Sequence, residues 1–397
     1  MAGSLQVKKW AILLVFVLLH GPIAYNFYLL SRDTIRGDSS ADRILVKPRY
    51  GIMRVPEIGL AKECQAVNRI SADFAQVYFP ARIASAKAYT AETPDPWHRP
   101  SRYAPFIHLF CQYSLGKLPY GYASFMNILI QVLLLYASFI FAFRILQIER
   151  FLLPALLLVN LCLFLTPAGL SWFERGQFSV YVALAHLWLC LGMIRRNPYC
   201  LFLAALFAYV KWTAFPFIFV AVAVWVLTSK NWVELKGRIG MAAVIPLTVA
   251  ALFLFNLREG LAFLAGLVEQ EKTFHPDGLS LVFLLPRYWV KALPLILIVP
   301  GWLYLWKSRK DFVSLMPYLA AVGILSLLYP TLAYDYSTSC LLGFIPLLIH
   351  WAERENPGRH ARQLKDSGHL VPMRRIFGVR WLDTAFPGGG AALPRAR

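Results

Sequence analysis

Repeated apolar runs of membrane-spanning length constrain the fold of this chain more than any other feature. Residues 122–146 and 288–306 are two such runs, rich in Leu, Ala, Val and Phe and without polar residues at alternate positions. A bilayer core takes about 20 apolar residues per helix, so 397 residues of which 58% are hydrophobic have room for about ten spans. Transmembrane β-strands would show a period of two, which these runs lack. The sequence therefore predicts an all-α, polytopic membrane protein.

Short clusters of Lys and Arg flank the apolar runs. Lys8 and Lys9 precede the first run, 10–30, and Arg195 and Arg196 follow a later one. Because Lys and Arg concentrate in cytoplasmic loops, this pattern predicts an inner (plasma) membrane protein with both termini in the cytosol. The net charge of +19 is spread over such clusters rather than over one folded face, so we expect no nucleic-acid partner.

A long polar insert, 31–119, follows the first run and falls on the outer side by the same rule. It is rich in Pro and contains two segments, 70–89 and 103–115, with the mixed apolar and polar character of short amphipathic helices that lie on a membrane surface. Ser71 is the N-cap candidate of the first segment. We therefore expect an external loop that carries surface helices.

The remaining polar segments complete the domain organisation. Residues 258–287 form a second external loop, and the runs with both loops make one transmembrane domain, 1–352. Residues 353–397 are basic and end in a Gly/Pro-rich stretch, which is typical of a disordered cytosolic tail. Cys64 and Cys111 both lie in the first external loop, and the sequence leaves open whether they form a disulfide.

The apolar run 199–228 is too long for one crossing, since a single helix would extend about 45 Å. Lys211 and Pro216 interrupt it. Two short helices that meet near Lys211 and Trp212 would keep the later basic residues on the cytosolic side, so we predict a break there. Lys211 then becomes a charge at the outer side or in a cavity, where a snorkelling lysine is the structural alternative to a functional one.

Asp73 is the most informative acidic residue of the external loop. It follows Ser71 in the first turn of the predicted helix, where the helix dipole favours an ionised carboxylate. An ionised carboxylate can act as a general base at neutral pH, although a plain helix-start acid accounts for the same position. P-loop, GxGxxG, HExxH and GxSxG motifs are all lacking in the sequence, so nucleotide hydrolysis, dinucleotide redox chemistry, zinc proteolysis and serine hydrolysis lose their usual support.

Four short motifs in chain order resemble the GT-C superfamily of integral-membrane glycosyltransferases: SADFAQVYFPAR, RYAPF, ERGQ and YVKW. The spacing is most similar to the polyprenyl-phosphate-dependent α-mannosyltransferases, whose early pattern is D-F-x-x-Y followed by Y-P-P. This chain departs from that pattern by an extra residue before Tyr78, by Ala104 in place of the first proline, and by Glu174 and Arg175 ahead of Gly176. These departures leave the sugar and the acceptor open.

The resemblance implies inverting transfer of a sugar, mannose by the family, from a polyprenyl-phosphate donor to a hydroxyl of a lipid-linked or envelope glycan acceptor. It implies Asp73 as the base that takes the acceptor proton. The outward-side cations that could hold the donor phosphate are Arg175, Lys211, Arg102 and His275. The candidates for sugar or acceptor contacts are Glu174, Gln177, Tyr103, Asp335 and Tyr336.

Several of these residues also have plain structural interpretations. Glu174 and Arg175 could neutralise each other at a helix entry, and Gln177 could cap a helix. Asp335 could be a turn residue after Pro330, and we assign Asp95, between two prolines, to turn chemistry.

The partners that this interpretation implies are a polyprenyl-phosphate sugar, a glycan or glycolipid acceptor and the lipid bilayer. The sequence assigns no definite cofactor and no metal ligand set, and a divalent cation stays open because some members of the superfamily use one. The alternative function is a transporter or flippase for a lipid-linked sugar or polar lipid, motivated by Lys211 at membrane depth.

Overall fold

The computed structural model of the chain describes residues 2–36, 71–83, 87–90, 92–96, 99–273, 277–278, 287–308, 311–328, 332–333 and 335–355. The chain divides into two units, Met1–Trp351 and Ala352–Arg397, and every residue of the site presented below belongs to the first unit. In the described ranges the protein consists of α-helices joined by turns and 3-10 segments, with a single two-residue pairing of extended strands.

The helices follow one another closely along the chain. They are α1 Ala2–Arg36, α2 Ala72–Ile83, α3 Pro105–Tyr113, α4 Tyr120–Leu146, α5 Leu152–Phe164, α6 Pro167–Arg175, α7 Ser179–Arg195, α8 Pro198–Val210, α9 Phe215–Leu227, α10 Trp232–Ala242, α11 Val244–Phe255, α12 Leu257–Thr273, α13 Arg287–Ser308, α14 Met316–Leu328 and α15 Ile345–Glu355. The 3-10 segments are Leu115–Lys117, Glu149–Phe151, Trp212–Ala214, Phe312–Leu315 and Asp335–Phe344. The strands β1 Asp277–Gly278 and β2 Leu332–Ala333 pair in parallel.

Three helices in the described part are long and apolar enough to cross a membrane: Tyr120–Leu146, Trp232–Phe255 and Trp289–Lys307. A fourth span results if Glu149–Phe164 and Pro167–Arg175, bent by 68°, count as one. The prediction of a helical protein with membrane-spanning helices is confirmed at this level. The helices of sufficient length are fewer than the predicted ten spans, because several apolar runs are divided into shorter helices.

The predicted break in the run 199–228 is confirmed. α8 ends at Val210, Lys211 adopts extended dihedral angles (φ −137°, ψ 102°), and α9 begins at Phe215 after one 3-10 turn. Pro216 lies in the first turn of α9, where a backbone N–H has no acceptor within the helix, so proline costs no hydrogen bond there. The break therefore places the Lys211 side chain at the junction of two short helices.

The core of the first unit surrounds α7. Every residue of α7 from Ser179 to Met193 is buried, and the helix packs against α8 and the 3-10 segment Asp335–Phe344. Close approach there requires a small residue, since a Cβ on Gly343 would lie 2.1 Å from the carbonyl oxygen of Ala183. Because α7 is buried on all sides, its sequence shows no polar face.

The segment that carries Asp73 differs from the prediction of a surface helix. The helix exists as α2, but every residue from Ser71 to Ala81 is buried, so the prediction of an amphipathic surface helix over 70–89 is wrong for these residues. Ser71 is not a conventional N-cap either. Its φ is 67°, in the left-handed region, and its hydroxyl contacts that of Ser124 on α4.

The second predicted amphipathic helix is present as α3. Its buried residues are Pro105, Ile107, His108 and Cys111, and Cys111 is a free thiol, whereas Cys64 lies outside the described residues. The second predicted external loop, 258–287, contains most of α12 and the strand β1. Of the predicted tail, only residues 353–355 are described, and they belong to α15.

Candidate functional site

Asp73 lies in the first turn of α2 and is 4% exposed. Arg175, at the end of α6, donates to both of its carboxylate oxygens: Nε to Oδ2 at 2.7 Å and Nη2 to Oδ1 at 3.2 Å. Bidentate pairing of this kind is among the stronger polar contacts in proteins. The two residues are 102 positions apart in sequence, so the contact joins the polar insert to the end of α6.

Gln177 and Lys211 extend this contact into a chain. The Gln177 amide donates through Nε2 to Asp73 Oδ2 and accepts at Oε1 from Lys211 Nζ at 2.7 Å. Both ends of the amide are therefore occupied, which fixes its orientation. The Lys211 ammonium also lies 5.9 Å from the centre of the Tyr103 ring. Five of the predicted site residues, Asp73, Arg175, Gln177, Lys211 and Tyr103, are thus brought together.

Gly176 determines how the end of α6 meets α2. It has φ 64°, and its N–H and that of Gln177 donate back to Phe173 and Trp172, which ends the helix. A Cβ on Gly176 would lie 2.8 Å from the Cβ of Phe74. Only glycine satisfies both the dihedral angle and the close approach, so Gly176 allows Arg175 and Gln177 to flank one carboxylate.

Asp95 and Arg99 belong to the same cluster, although the sequence pattern assigned Asp95 to a turn. Asp95 is fully buried and binds Arg99 through Nε at 2.9 Å and Nη2 at 3.0 Å. Arg99 Nη2 also donates to the carbonyl oxygen of Ala72 at 2.5 Å, and Nη1 lies 3.5 Å from Asp73 Oδ1. The available sequence signal is an acid and a base four positions apart, Asp95 and Arg99, in a Pro-rich segment.

Three cations and two carboxylates meet in this cluster. Arg175 and Arg99 contact Asp73, Arg99 also pairs with Asp95, and Lys211 is linked to Asp73 through Gln177. Burial alone would raise the pKa of Asp73, but Arg175, Arg99 and Lys211 outweigh it and hold the pKa below its ordinary value. Burial alone would lower the pKa of Arg99, but the carboxylates of Asp95 and Asp73 keep it above its ordinary value. The carboxylate and the guanidinium are therefore ionised at neutral pH.

Tyr103 borders the charged cluster on one side. Its ring lies 4.5 Å from that of Phe178, and its carbonyl oxygen accepts from the hydroxyl of Tyr89 at 2.9 Å. Burial raises the pKa of Tyr103 well above its ordinary value; Asp73 adds to the effect, and the nearby cations Arg99, Arg175 and Arg102 oppose it. Tyr103 therefore stays a neutral hydroxyl, and Arg102 is placed within electrostatic reach of the site.

The remaining predicted residues contribute less to this geometry. Glu174 is half-buried, and its main-chain oxygen accepts from the Ser71 N–H at 2.5 Å. His275 lies outside the described residues, as do the side chains of Asp335 and Tyr336, whose backbone begins the last 3-10 segment. Among the described residues, no group of three or more His, Cys, Asp or Glu side chains forms a candidate metal site.

The arrangement suits two chemical tasks. Its cations and amide donors can hold an anion such as a phosphate group, since guanidinium, ammonium and amide groups all donate hydrogen bonds to phosphate oxygens. Its ionised Asp73 can accept a proton once an incoming anion takes over a share of the guanidinium donors. No family model, no curated protein and no solved structure matches this chain, so the function is argued from these contacts.

Proposed function

We propose that the protein is a membrane glycosyltransferase of the GT-C type. It transfers a sugar, mannose by the resemblance of its motifs, from a polyprenyl-phosphate donor to a hydroxyl of a lipid-linked or envelope glycan. The observation that carries the proposal is the buried Asp73 carboxylate, held by Arg175 and by the Gln177 amide that also binds Lys211. A site with an ionised carboxylate and additional cations supplies both a base and a phosphate-binding group.

In the proposed reaction, the donor phosphate binds Arg175 and Lys211 and draws the guanidinium away from Asp73. The acceptor oxygen then attacks the anomeric carbon from the face opposite the phosphate. Its O–H proton passes to Asp73 while the bond between the anomeric carbon and the phosphate oxygen breaks, and the configuration inverts. The polyprenyl phosphate leaves with the bonding electron pair, and its added negative charge is stabilised by the same cations. No cofactor enters these steps, and a divalent cation at the phosphate stays open.

The proposed topology places the site on the extracytoplasmic face of the inner membrane. The basic clusters Arg195–Arg196 and Lys307–Arg309 support a cytosolic position for the loops between spans and for both termini. With the short helices α8 and α9 as two crossings that meet outside, the chain makes about ten spans. The polar insert with α2 then covers the outer ends of the spans, which brings Asp73 to the level where a lipid-linked sugar presents its phosphate.

The central experiment removes the carboxylate. Asp73→Asn and Asp73→Ala should lower the rate of sugar transfer from labelled polyprenyl-phosphate sugars by about 10²–10⁴-fold, the range for loss of a general base. Glu234→Gln is the matched control, because Glu234 also pairs with two arginines but lies on α10. Thermal unfolding in detergent identifies variants that fail to fold. Full transfer activity in both Asp73 variants would contradict the assignment of the base.

A transporter or flippase for a lipid-linked sugar is the second candidate. The break at Lys211 between α8 and α9 favours it, because discontinuous helices form substrate sites in many transporters. Reconstitution into liposomes separates the two functions: a flippase moves a labelled lipid-linked sugar between leaflets without an acceptor, whereas the glycosyltransferase consumes the donor only when an acceptor hydroxyl is present.

A further inference from the structure

The helix α4 is a candidate membrane span, and one of its faces is polar and buried. Tyr120, Ser124, Asn127 and Gln131 are at most 7% exposed, and with 3.6 residues per turn they lie within about 60° of one another around the helix axis. Buried polar groups cost free energy unless they are hydrogen-bonded, and within membrane spans they are commonly functional. This face finds its partners in two turns of the charged site.

The first two residues of the polar face bind the turn that precedes Asp73. The Tyr120 hydroxyl donates to the carbonyl oxygen of Ser71 at 2.6 Å, and the Ser124 hydroxyl contacts the Ser71 hydroxyl. Ser71 has φ 67°, a left-handed conformation that costs a non-glycine residue free energy, so its surroundings must hold it there. Asp73 follows two residues later in the first turn of α2, so these contacts fix where that helix begins.

The next two residues bind the turn that follows Arg175. Asn127 Nδ2 donates to the carbonyl oxygen of Gly176 at 3.4 Å, and Gln131 Nε2 donates to that of Gln177 at 2.9 Å. Gly176 is the second left-handed residue of the site, with φ 64°. The guanidinium of Arg175 binds the carboxylate directly before this turn. One helix face therefore holds both of the turns that bring the charged pair together.

Gln131 indicates that the face does more than stabilise the fold. Its Oε1 is buried and has no hydrogen-bond partner among the described residues, and an acceptor in that state costs free energy. The contribution of the side chain is therefore on the donor side of its amide, at the main chain of Gln177. The side chain of Gln177 in turn connects Asp73 with Lys211.

We propose that the polar face of α4 positions the Asp73 carboxylate against Arg175, with Ser124 and Gln131 as positioning residues for proton transfer to Asp73. The proposal rests on the proposed function for the reaction, whereas the positioning itself can be measured without sugar transfer. The bidentate contact needs the two turns at one separation, and α4 is a single helix that reaches both. A displacement of either turn by about 1 Å would take the guanidinium out of hydrogen-bond range of the carboxylate.

The first test measures thermodynamic coupling in the full-length protein. Gln131→Leu removes the donor to Gln177 and keeps a side chain of similar size. Arg175→Gln should lower the unfolding midpoint in detergent, and in the Gln131→Leu background this shift should be smaller by about half or more, because the charged pair is already loosened. The same comparison with Ser124→Ala as the background checks the other turn and uses a milder substitution.

A matched pair of substitutions on α4 tests the role in the reaction. Ser138 is buried on the same helix face, and its hydroxyl accepts from Trp188 Nε1 at 3.0 Å, a bond to α7 and not to either turn. Ser124→Ala should lower kcat for sugar transfer by about tenfold and change the KM for the polyprenyl-phosphate sugar less than about threefold, because the base is misplaced while the cations remain. Ser138→Ala loses one buried hydrogen bond of the same kind and should change kcat less than about twofold. Thermal unfolding of both variants gives the folded fraction by which kcat is corrected.

Two results would overturn the proposal. Additive midpoint shifts in both backgrounds would mean that α4 and the charged pair are energetically independent. Equal corrected kcat values for Ser124→Ala and Ser138→Ala would mean that the polar face stabilises the fold without positioning the base. If instead the Asp73 variants retain full transfer while the shifts are coupled, the proposed base fails, and α4 still positions the Asp73 carboxylate against Arg175.

Discussion

The protein contains two clusters in which one acid lies between two arginines, and the difference between them separates a structural role from a chemical one. In the first, Asp73 pairs with Arg175 and Arg99. In the second, Glu234 pairs with Arg196 and Arg238. The composition is the same, so what distinguishes the clusters is their position, their burial and what else the acid binds.

The Glu234 cluster is explained by the start of a helix. Glu234 accepts from the backbone N–H of Lys230 at 2.8 Å and follows the N-cap Asn231, and one of its arginines, Arg238, is four residues later on the same helix. The other, Arg196, keeps 59% of its side chain exposed. Exposed pairs of this kind stabilise proteins by about 0–1 kcal/mol. Local helix geometry therefore accounts for the contacts of Glu234 with Lys230 and Arg238, and Arg196, 38 positions away, adds an exposed pair.

The Asp73 cluster has no such local explanation. Its partners Arg99, Arg175 and Gln177 are 26, 102 and 104 positions away. Three members of the cluster, Arg99, Gln177 and Lys211, lie between helices rather than within one. Burying so many charges costs free energy unless each is paired and hydrogen-bonded. A fold that assembles these charged groups from distant segments concentrates hydrogen-bonding groups at one buried place. Such clusters are candidates for functional sites.

The largest expected difference between the clusters is in donor affinity. Arg175→Gln should raise the KM for a polyprenyl-phosphate sugar by about 10–100-fold, because a charge-assisted contact to the phosphate is worth about 1.5–3 kcal/mol. Arg196→Gln, in the other cluster, should change it less than about threefold. Steady-state transfer assays at varied donor concentration measure both. Similar KM values for the two variants would remove Arg175 from the phosphate site.

Backbone packing should distinguish the same two regions. Gly176→Ala places a Cβ against Phe74 at a positive φ, and should lower the free energy of unfolding by about 1–3 kcal/mol. Gly237→Ala, in the interior of α10 with no atom within 4 Å of the added Cβ, should raise it by about 0.5–1 kcal/mol. Denaturant unfolding in mixed micelles gives both values. If alanine is tolerated at 176, the close contact between α6 and α2 is not required.

The sequence predicted individual site residues better than their arrangement. Asp73, Arg175, Gln177 and Lys211 each stand out as polar residues beside apolar runs, and the break at Lys211 follows from the length of its run and the topology rule. Their convergence could not be predicted, because it depends on the left-handed turn at Gly176 and on contacts across about a hundred residues. A short glycine motif does not reveal which helix will pack against it.

The prediction of a surface helix over 70–89 is wrong for an identifiable physical reason. α2 contains Asp73 and Gln76, and polar residues between apolar ones normally indicate a helix face in contact with water. Here both side chains are buried and bound to other polar groups, so the same pattern arises in a helix that is covered on all sides. The turn interpretation of Asp95 is incomplete for a related reason: its carboxylate accepts from the Arg99 N–H, as a turn residue can, and also forms a buried ion pair with the Arg99 side chain.

The smallest expected difference between the two clusters is in how the free energy of unfolding depends on pH. Because the cations hold the pKa of Asp73 below its ordinary value of about 3.9, the carboxylate stabilises the folded protein fully above that pH and loses this contribution as the pH falls through the folded-state pKa. The parent and Asp73→Asn should therefore differ in free energy of unfolding by a gap that is constant from pH 7 to about 5 and narrows only below about pH 4.

The size of that gap has an upper limit. Loss of one partner from a fully buried ion pair costs about 3–5 kcal/mol, and the gap at neutral pH should be smaller, since Arg175 and Arg99 keep 20% and 24% of their side chains exposed. Glu234→Gln should give the smaller gap of the two variants, because Arg196 is largely solvated. A gap for Asp73→Asn that narrows already between pH 7 and 5 would mean that burial dominates over the cations. Asp73 would then be protonated for part of the neutral range, and the polar contacts around it would have to be assigned to the neutral carboxyl group.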